Sequence, residues 1–359
     1  MDKVRLGIIG TSGWTEMMYL NPLASHPGAE IVALCGRDHE KTSATAARFG
    51  IPRSYSDADL MFEAGGLDAV AIVSPDDVHC RQALAAIARG LHVMCEKPMS
   101  NTREEAWEMQ RAARAAGVFS LVMFTFRWQP HFRHLKALID AGTIGRPRRA
   151  EFDFRGGFVR NKDYQWRLDP TRATGTLGDL GSHMLDMGRW ILGDMESVTA
   201  EAMTVIDRTG FPGHALPVSN DSATILVAYK SGARATLDVS AASPSGDRHM
   251  IHRVRVEGES GAIELDQIWG GTQRGINFQI SIGDEPFAPV EVPTSLYGEF
   301  KSDNHFDYYL SESAGARYFV DSILAGIAPS PDFTDGARVQ DALDAAIVSA
   351  REGKRVAIT

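Results

Sequence analysis

Residues 175–186 contain the side chains best suited to acid–base chemistry. Asp179 and His183 are four residues apart, so on a helix both would project from one face. Histidine titrates near neutral pH and can exchange a proton with a substrate hydroxyl, while a neighbouring carboxylate can orient the ring. An isolated pair of this kind is more often a capping aspartate and a core histidine. No third ligand stands at a recognisable spacing, so no metal site is predicted.

A lysine occupies a second informative position. Lys97 lies between Glu96 and Pro98, directly after an apolar strand predicted at 92–95. Open α/β sheets bind their ligands at the carboxyl ends of parallel strands, which is where this lysine falls. A lysine on an arbitrary loop is usually a solvated charge, but the flanking glutamate and proline constrain this one.

A glycine-rich turn follows the first predicted strand and opens a helix. Such a turn can bring backbone N–H groups onto a pyrophosphate. Against the fingerprint G-x-G-x-x-G/A, Ser12 replaces the second glycine and Thr15 the third. The turn alone is equally compatible with an ordinary strand–helix connection, but its place after the first strand favours a dinucleotide site. Its residues are Gly10, Thr11, Ser12, Gly13 and Trp14.

The end of the second predicted strand bears on the choice of cofactor. An acidic residue there would bind a ribose 2′-hydroxyl, whereas this chain has Gly36 followed by Arg37. The guanidinium fork suits a 2′-phosphate, so NADP is favoured over NAD. Asp38, one residue later, keeps NAD open, and a solvated loop charge is the alternative interpretation of Arg37.

These residues require a scaffold, and the first part of the chain predicts one. Short apolar runs alternate with helical patterns, which is typical of parallel β-α-β units. The strands are predicted at 5–9, 30–35, 69–73, 92–95 and 119–124, and the helices at 16–24, 39–49, 80–89 and 103–116.

The pattern changes after a helix predicted at 132–141. Segments with alternating polarity now dominate and indicate an open, mostly antiparallel sheet, before a last helix at 335–352. We therefore predict a dinucleotide-binding domain at 1–125 and a substrate-binding and oligomerisation domain at 126–359. The strands of the second domain are predicted at 149–154, 198–205, 223–229, 233–240, 254–257 and 278–282.

Length and composition agree with two globular domains. The chain has 359 residues, 44% of them hydrophobic, enough to fill two cores. A net charge of −9 makes nucleic acid an unfavourable partner, and a small molecule is expected instead. Three cysteines without C-x-x-C spacing argue against a disulfide framework or a zinc site. No leader or membrane-spanning run is apparent, so a cytoplasmic location is expected.

Several motifs together resemble the Gfo/Idh/MocA family, which includes glucose-fructose oxidoreductase and inositol dehydrogenase. The resemblance spans nearly the whole chain. Residues 74–79 look like the family's T-P-N-x-x-H turn, with Asp76 in place of asparagine. The remaining matches are the glycine turn, Glu96-Lys97-Pro98, the run Trp166-Arg167-Leu168-Asp169-Pro170 leading to Gly178-Asp179-Leu180-Gly181-Ser182-His183, and Asp335-Gly336-Ala337-Arg338.

The resemblance implies a Rossmann domain, an α/β domain with an open sheet that forms dimers or tetramers, and a cleft between them. It implies that His183 is the general base, that Lys97 stabilises charge on the reacting oxygen, and that Asp179 positions the substrate. It places the last helix, 335–352, back on the Rossmann domain. With Arg37 from the strand end, the expected cofactor contacts are the glycine turn, Arg37, Ser74, Pro75, His79, Glu96 and Lys97. The expected substrate contacts are Arg127, Trp166 and Arg167, with Tyr164 and His305 as further candidates in the specificity loops.

Three functions remain open from the sequence. The first is a dehydrogenase or reductase that transfers a hydride between nicotinamide and a sugar, inositol or related cyclic polyol. The second is a dihydrodiol or other non-sugar alicyclic dehydrogenase. The third is a regulator that senses NAD(P) without turnover, against which the presence of Lys97, Asp179 and His183 counts. Substrate specificity is expected to reside in loops at 158–166, 207–220 and 295–305.

Overall fold

A computed structural model describes residues 2–208, 219–297 and 314–359. The chain folds into two compact units. One unit comprises the described residues of Met1–Trp128 and Ser302–Ala337, and the other those of Gln129–Lys301 and Arg338–Thr359.

The first unit is built on a six-stranded, fully parallel sheet. Its strand order is β3-β2-β1-β4-β5-β6. Strands β2 and β3 lie on one side of β1, and β4, β5 and β6 lie on the other, as in a doubly wound dinucleotide-binding fold. The strands are β1 (Val4–Ile9), β2 (Ala29–Cys35), β3 (Arg53–Tyr55), β4 (Ala69–Ile72), β5 (His92–Cys95) and β6 (Ser120–Val122).

Helices connect these strands and pack on the sheet. The first connection contains α1 (Gly13–Thr15), a π-helical turn (Glu16–Leu20) and α2 (Asn21–Ala24) in immediate succession. The other helices of this unit are α3 (His39–Phe49), α4 (Ala58–Glu63), α5 (His79–Ile87), α6 (Arg103–Ala116) and α10 (Ala314–Ala325).

Helix α10 completes the core of this unit from the far end of the chain. Its Phe319 and Val320 are fully buried in the cluster that contains Leu6 and Ile8 of β1. Burying side chains of this size contributes about 1.5–3 kcal/mol each. The sequence patterns above did not predict this helix.

The second unit is built on a nine-stranded sheet of order β14-β13-β12-β11-β7-β10-β9-β8-β15. Strands β7 and β10 pair in parallel, and the other pairs are antiparallel. The strands are β7 (Arg149–Gly156), β8 (Met195–Met203), β9 (Ser222–Tyr229), β10 (Arg234–Ser240), β11 (Met250–Glu257), β12 (Gly261–Trp269), β13 (Gly275–Ile282), β14 (Ala288–Pro289) and β15 (Val356–Ala357).

The two faces of this sheet differ in chemistry. On β7, Phe152 and Phe154 are buried, whereas Asp153 and Arg155 lie on the opposite face and pair with each other. Helices cover the apolar face: α7 (Pro130–Asp140), α8 (Gly175–Asp179) and α9 (Gly181–Leu192). The last helix, α11 (Phe333–Glu352), crosses the division between the two units.

The predicted fold class, a doubly wound parallel sheet followed by a large and mostly antiparallel sheet, is confirmed. Four strands were not predicted: β3, β14 and β15, which have only two or three residues each, and β12, whose inner positions include the polar Gln267. Within the described residues no helix is long and apolar enough to span a bilayer.

Candidate active site

The glycine turn after β1 depends on Gly10. Its φ of +135° is one that side chains rarely adopt, and a Cβ atom there would lie 2.5 Å from the Val73 carbonyl oxygen. The Gly10 N–H donates to the Cys35 carbonyl at 2.8 Å. The turn is therefore held against both neighbouring strands.

Ser12 and Thr15, the two departures from the glycine fingerprint, form a reciprocal cap on the helix. The Ser12 Oγ accepts from the Thr15 N–H at 3.2 Å, and the Thr15 Oγ1 accepts from the Ser12 N–H at 3.3 Å. The helix therefore starts within the turn, where its N–H groups attract anions. A Cβ atom on Gly13 would meet nothing within 4 Å, so this side of the turn is open, as a pyrophosphate cradle requires.

The two glycines of this turn should respond differently to alanine. We expect Gly10→Ala to destabilise the fold by about 2–5 kcal/mol, because it combines an unfavourable φ with a clash against backbone. Gly13→Ala, the matched control, should keep the thermal midpoint of the parent but weaken binding of the reduced nicotinamide cofactor in a fluorescence titration. Equal stability of the two variants would contradict this account of the turn.

Arg37 and Asp38 both follow the end of β2, but their side chains have different environments. Gly36 leaves room for Thr11, since a Cβ atom there would lie 2.7 Å from the Thr11 methyl. The Asp38 carboxylate caps α3 by accepting from the Lys41 N–H at 3.0 Å. The Arg37 side chain is exposed and makes no hydrogen bond or ion pair with other described residues. The Asp38 carboxylate is therefore used to cap α3, whereas the Arg37 guanidinium is accessible to a ligand.

Glu96 ties the end of β5 to the first helix. Its buried carboxylate accepts from the Trp14 indole at 2.6 Å and from the Tyr19 hydroxyl at 2.7 Å. Burial raises the pKa of Glu96, while the charge of Lys97 and the bonds from Trp14 and Tyr19 oppose that rise. The π-helical turn carries Tyr19, and such turns recur at functional sites. The backbone at Lys97, whose side chain is half-buried, is thereby held close to the glycine turn.

His79 lies between two of the loops at this edge. Its fully buried ring has the Ser74 carbonyl oxygen at 2.8 Å from Nε2 and the Pro98 carbonyl oxygen at 3.0 Å from Nδ1. Burial lowers the pKa of His79, against the effect of these two bonds. The Lys97–Pro98 peptide bond is cis. His79 therefore joins the loops after β4 and β5, as a positioning group would.

The loops with Gly10, Arg37, Ser74 and Glu96 all follow carboxyl ends of neighbouring parallel strands. Pro75 precedes a 3-10 turn (Asp76–Val78) in the third of these loops. Arg127, half-buried, lies in a 3-10 turn (Thr125–Trp128) after β6. The structure thus brings the cofactor and lysine candidates of this unit to one edge of its sheet.

In the second unit Asp179 and His183 lie on two helices rather than one. Asp179 ends α8, Leu180 interrupts the helix, and His183 lies in the first turn of α9. Leu180 nevertheless keeps right-handed helical backbone geometry, and its N–H still donates to the Thr176 carbonyl. The buried His183 ring packs edge-on against Phe154 of β7, with 6.1 Å between centroids.

Arg167 connects the preceding loop to Asp179. Its Nε is 3.2 Å from the Asp179 Oδ2, an ion pair without the alignment of a hydrogen bond. Its guanidinium also lies over the rings of Trp166 and Phe158, at 5.3 Å and 5.9 Å. The pair brings together two of the predicted site residues, and it orients the Asp179 carboxylate. Tyr164 instead donates to Asp169 at 2.8 Å.

Asn220 fixes the start of α8, a role that the sequence patterns did not reveal. Its side chain accepts from the Leu177 N–H at 2.7 Å and donates to the Thr174 carbonyl at 2.9 Å. Gly175 allows this approach, because a Cβ atom there would lie 2.6 Å from the Asn220 carbonyl oxygen. Asn220 thus positions the helix that ends in Asp179.

A buried ion pair extends this support to the loop before Arg167. Arg208 and Asp221 meet at 2.6 Å with both side chains inaccessible to solvent. The same guanidinium donates to the carbonyl oxygens of Val159 and Asn161. Removing one partner from a buried pair typically costs about 3–5 kcal/mol, so this loop is firmly anchored. Of the predicted specificity loops, residues 209–218 and 298–305, with His305, lie outside the described residues.

No cluster of three or more His, Cys, Asp or Glu side chains suited to a metal ion occurs in the described ranges. The three cysteines, Cys35, Cys80 and Cys95, are free thiols.

Two curated relatives match the chain over most of its length. D-apiose dehydrogenase of Rhizobium rhizogenes is 31% identical over 268 residues, which cover 74% of this chain and 74% of that protein. Inositol 2-dehydrogenase of Rhizobium meliloti is 26% identical over 357 residues, covering 99% of each. Both are enzymes by name, and both are similar to this chain in length as well as sequence.

A solved structure and two family models complete the comparison. A levoglucosan dehydrogenase in complex with NADH superposes with a TM-score of 0.88 at 23% identity, covering 99% of each chain, which shows a shared fold. The model for the NAD-binding Rossmann fold of an oxidoreductase family matches residues 4–124, and that for its C-terminal alpha/beta domain matches residues 136–358. These matches confirm the resemblance inferred from the motifs: the chain belongs to the Gfo/Idh/MocA family of NAD-binding oxidoreductases.

Proposed function

We propose that this chain is an NAD(P)-dependent dehydrogenase or reductase that acts on a hydroxyl or keto carbon of a sugar, inositol or related cyclic polyol. The observation that carries the proposal is the Glu96 network. It ties Glu96, the residue before Lys97, to Trp14 and Tyr19 through bonds of 2.6 Å and 2.7 Å, which supports a place for Lys97 beside the turn expected to hold the cofactor. The names of the relatives, an apiose and an inositol dehydrogenase, support the substrate class.

The residues present fit a dinucleotide. The open side of the turn at Gly13 and the N–H groups of the helix that Ser12 caps would hold the pyrophosphate. The loops with Ser74, Pro75 and Glu96 would flank the nicotinamide. When bound, this cofactor supplies the hydride acceptor or donor, and the chain's own residues handle the proton and the developing charge.

For the protein's part, we assign three roles. In oxidation His183 takes the proton of the reacting hydroxyl, a task suited to an imidazole. Lys97 donates a hydrogen bond to the same oxygen and stabilises negative charge as it develops there. Asp179, held by Arg167 at 3.2 Å, binds a neighbouring hydroxyl and orients the ring of the substrate. In this proposal the three groups act on one substrate.

The exposed guanidinium of Arg37 should select NADP over NAD. We expect Arg37→Ala to lower kcat/KM for NADPH by about 10- to 100-fold, because one charge-assisted contact to the 2′-phosphate is lost. The value for NADH should stay within about threefold, since that cofactor has no phosphate at this position. Steady-state kinetics with both cofactors measure this, with Arg89→Ala as a control on the surface of the same unit. A parent enzyme that prefers NADH would contradict the assignment.

A substrate panel tests the proposal against its two alternatives. Sugars, inositols and alicyclic dihydrodiols are supplied with each cofactor, and nicotinamide absorbance is followed. Turnover confined to dihydrodiols would favour the non-sugar dehydrogenase. A regulator would be favoured by two results together: tight NADPH binding without any turnover, and binding of a protein partner that is unchanged in His183→Ala.

We further propose a homodimer or homotetramer assembled through the exposed face of the second sheet. That face carries alternating charges, such as Arg253 beside Asp266 and Arg255 beside Glu264, which suit a self-complementary contact. A cytoplasmic location and the absence of a nucleic-acid partner remain predictions from the sequence.

A further inference from the structure

Two glutamine side chains of the second unit are buried without hydrogen-bond partners. Gln267 in β12 is 1% exposed, and Gln129, just before α7, is 2% exposed. Among the described residues neither amide has a partner for its oxygen or its nitrogen. A buried amide that gives up water without gaining a partner destabilises a fold, and native proteins contain few of them. A bound polar molecule would remove that penalty.

Gln267 belongs to a row of side chains that leads to His183. The strand register places Phe154 opposite His252 and His252 opposite Gln267, on one face of the sheet. The Phe154 ring lies 5.3 Å from the His252 ring and 6.1 Å from the His183 ring. From Phe154 to Gln267 the row crosses two strand spacings, roughly 10 Å.

The row is polar but uncharged. His252 is 1% exposed and packs between the rings of Phe132, at 4.8 Å, and Phe154. Burial lowers the pKa of His252 to about 3, so its imidazole is neutral at physiological pH. The adjacent row of the same face, Phe152, Val254 and Leu265, is entirely apolar. Polar side chains thus first occur in the row that lies close to the end of β7. The loop that leads to Arg167 begins at that end of the strand.

We propose that Gln267 and His252 form a distal subsite that hydrogen-bonds uncharged hydroxyl groups of the substrate, away from the carbon that reacts at His183. The identity of that carbon rests on the proposed function. An amide and a neutral imidazole each donate and accept, as a hydroxyl does. A carboxylate or phosphate would be buried there without a counter-charge, which is strongly unfavourable. The subsite therefore selects neutral polyols over sugar acids and sugar phosphates.

The variant Gln267→Met tests the subsite, because methionine keeps the length of the side chain and removes the amide. We expect the ligand-free variant to melt at the parent temperature or about 2 °C higher, since an unpaired amide is removed. The KM for the best of D-xylose, D-glucose and myo-inositol should rise about tenfold, with kcat within about threefold. Gln279→Met is the matched control. Gln279 lies on β13, and its amide donates to Asn277 at 2.7 Å; KM should stay at the parent value.

Opposite results would overturn the subsite. A Gln267→Met protein that melts several degrees lower with unchanged KM would show a purely structural amide. Parent protein that oxidises D-glucuronate as well as D-glucose would also overturn it, and this comparison needs no variant.

Calorimetric titration with the same three polyols separates the subsite proposal from the proposed function. Binding that is lost in Gln267→Met without any turnover by the parent would overturn the proposed function and support the subsite. Turnover that the variant leaves unchanged would overturn the subsite alone.

Discussion

Replacing His183 by alanine should lower kcat by about 10²–10⁴-fold while the Kd for NADPH changes by less than about threefold. The imidazole is expected to exchange a proton with the substrate hydroxyl, so its loss acts on the chemical step. Its position supports that role: it lies in the first turn of α9, and its ring is packed against Phe154. A ring fixed in this way is oriented before the substrate arrives, which is what a general base requires.

Two readouts distinguish this role from a structural one. The limb of the pH–rate profile that belongs to the base should disappear in the variant, whereas a packing defect would lower the rate at every pH. His134→Ala is the matched control, because His134 also packs edge-on against a phenylalanine, Phe278, at 6.0 Å. A His183→Ala enzyme with the parent pH profile, or one that no longer binds NADPH, would show that the role is misassigned.

Lys97→Ala should lower kcat/KM by about 10²–10³-fold, because the group that stabilises charge on the reacting oxygen is removed. Its anchoring is local: Glu96, directly before it, accepts hydrogen bonds from Trp14 and Tyr19. The residue before the lysine is therefore held in part by Trp14, which belongs to the glycine turn. Cofactor affinity should change little, since the turn keeps its own cap between Ser12 and Thr15.

Stopped-flow binding of NADPH and single-turnover kinetics separate the two effects. Lys3→Ala, an exposed lysine of the same unit, should behave as the parent in both experiments. Loss of NADPH binding in proportion to the loss of rate would make Lys97 a cofactor residue rather than a catalytic one. An unchanged single-turnover rate would remove it from the chemistry altogether.

Much of the fold follows from local sequence signals. Buried parallel strands are continuously apolar, and His39–Phe49 and Arg103–Ala116 end at glycines with positive φ, so their limits were predicted correctly. The start of α8 was not predictable in this way. The start of α8 is fixed by Asn220, more than forty residues later in the chain, and a pattern confined to residues 175–186 carries no trace of that contact.

The candidate site shows the same division. The glycine turn and Lys97 could be located because each follows a recognisable strand. Arg208 and Asp221 could not be located, because the sequence does not distinguish a buried ion pair from two exposed charges. Gln267 was missed for a related reason: a glutamine inside an alternating segment weakens the strand pattern, and only the register with His252 reveals its place.

The central proposal is that Lys97 and His183 act on the same reacting oxygen. A double-mutant cycle on kcat/KM tests it most directly, using the parent, Lys97→Ala, His183→Ala and the double variant with the best polyol and NADP. Groups that act as one unit are strongly non-additive, so the double variant should be about as slow as the slower single variant. If the two losses of kcat/KM multiply in the double variant, the two residues act independently, and the proposal that they act on one oxygen would be wrong.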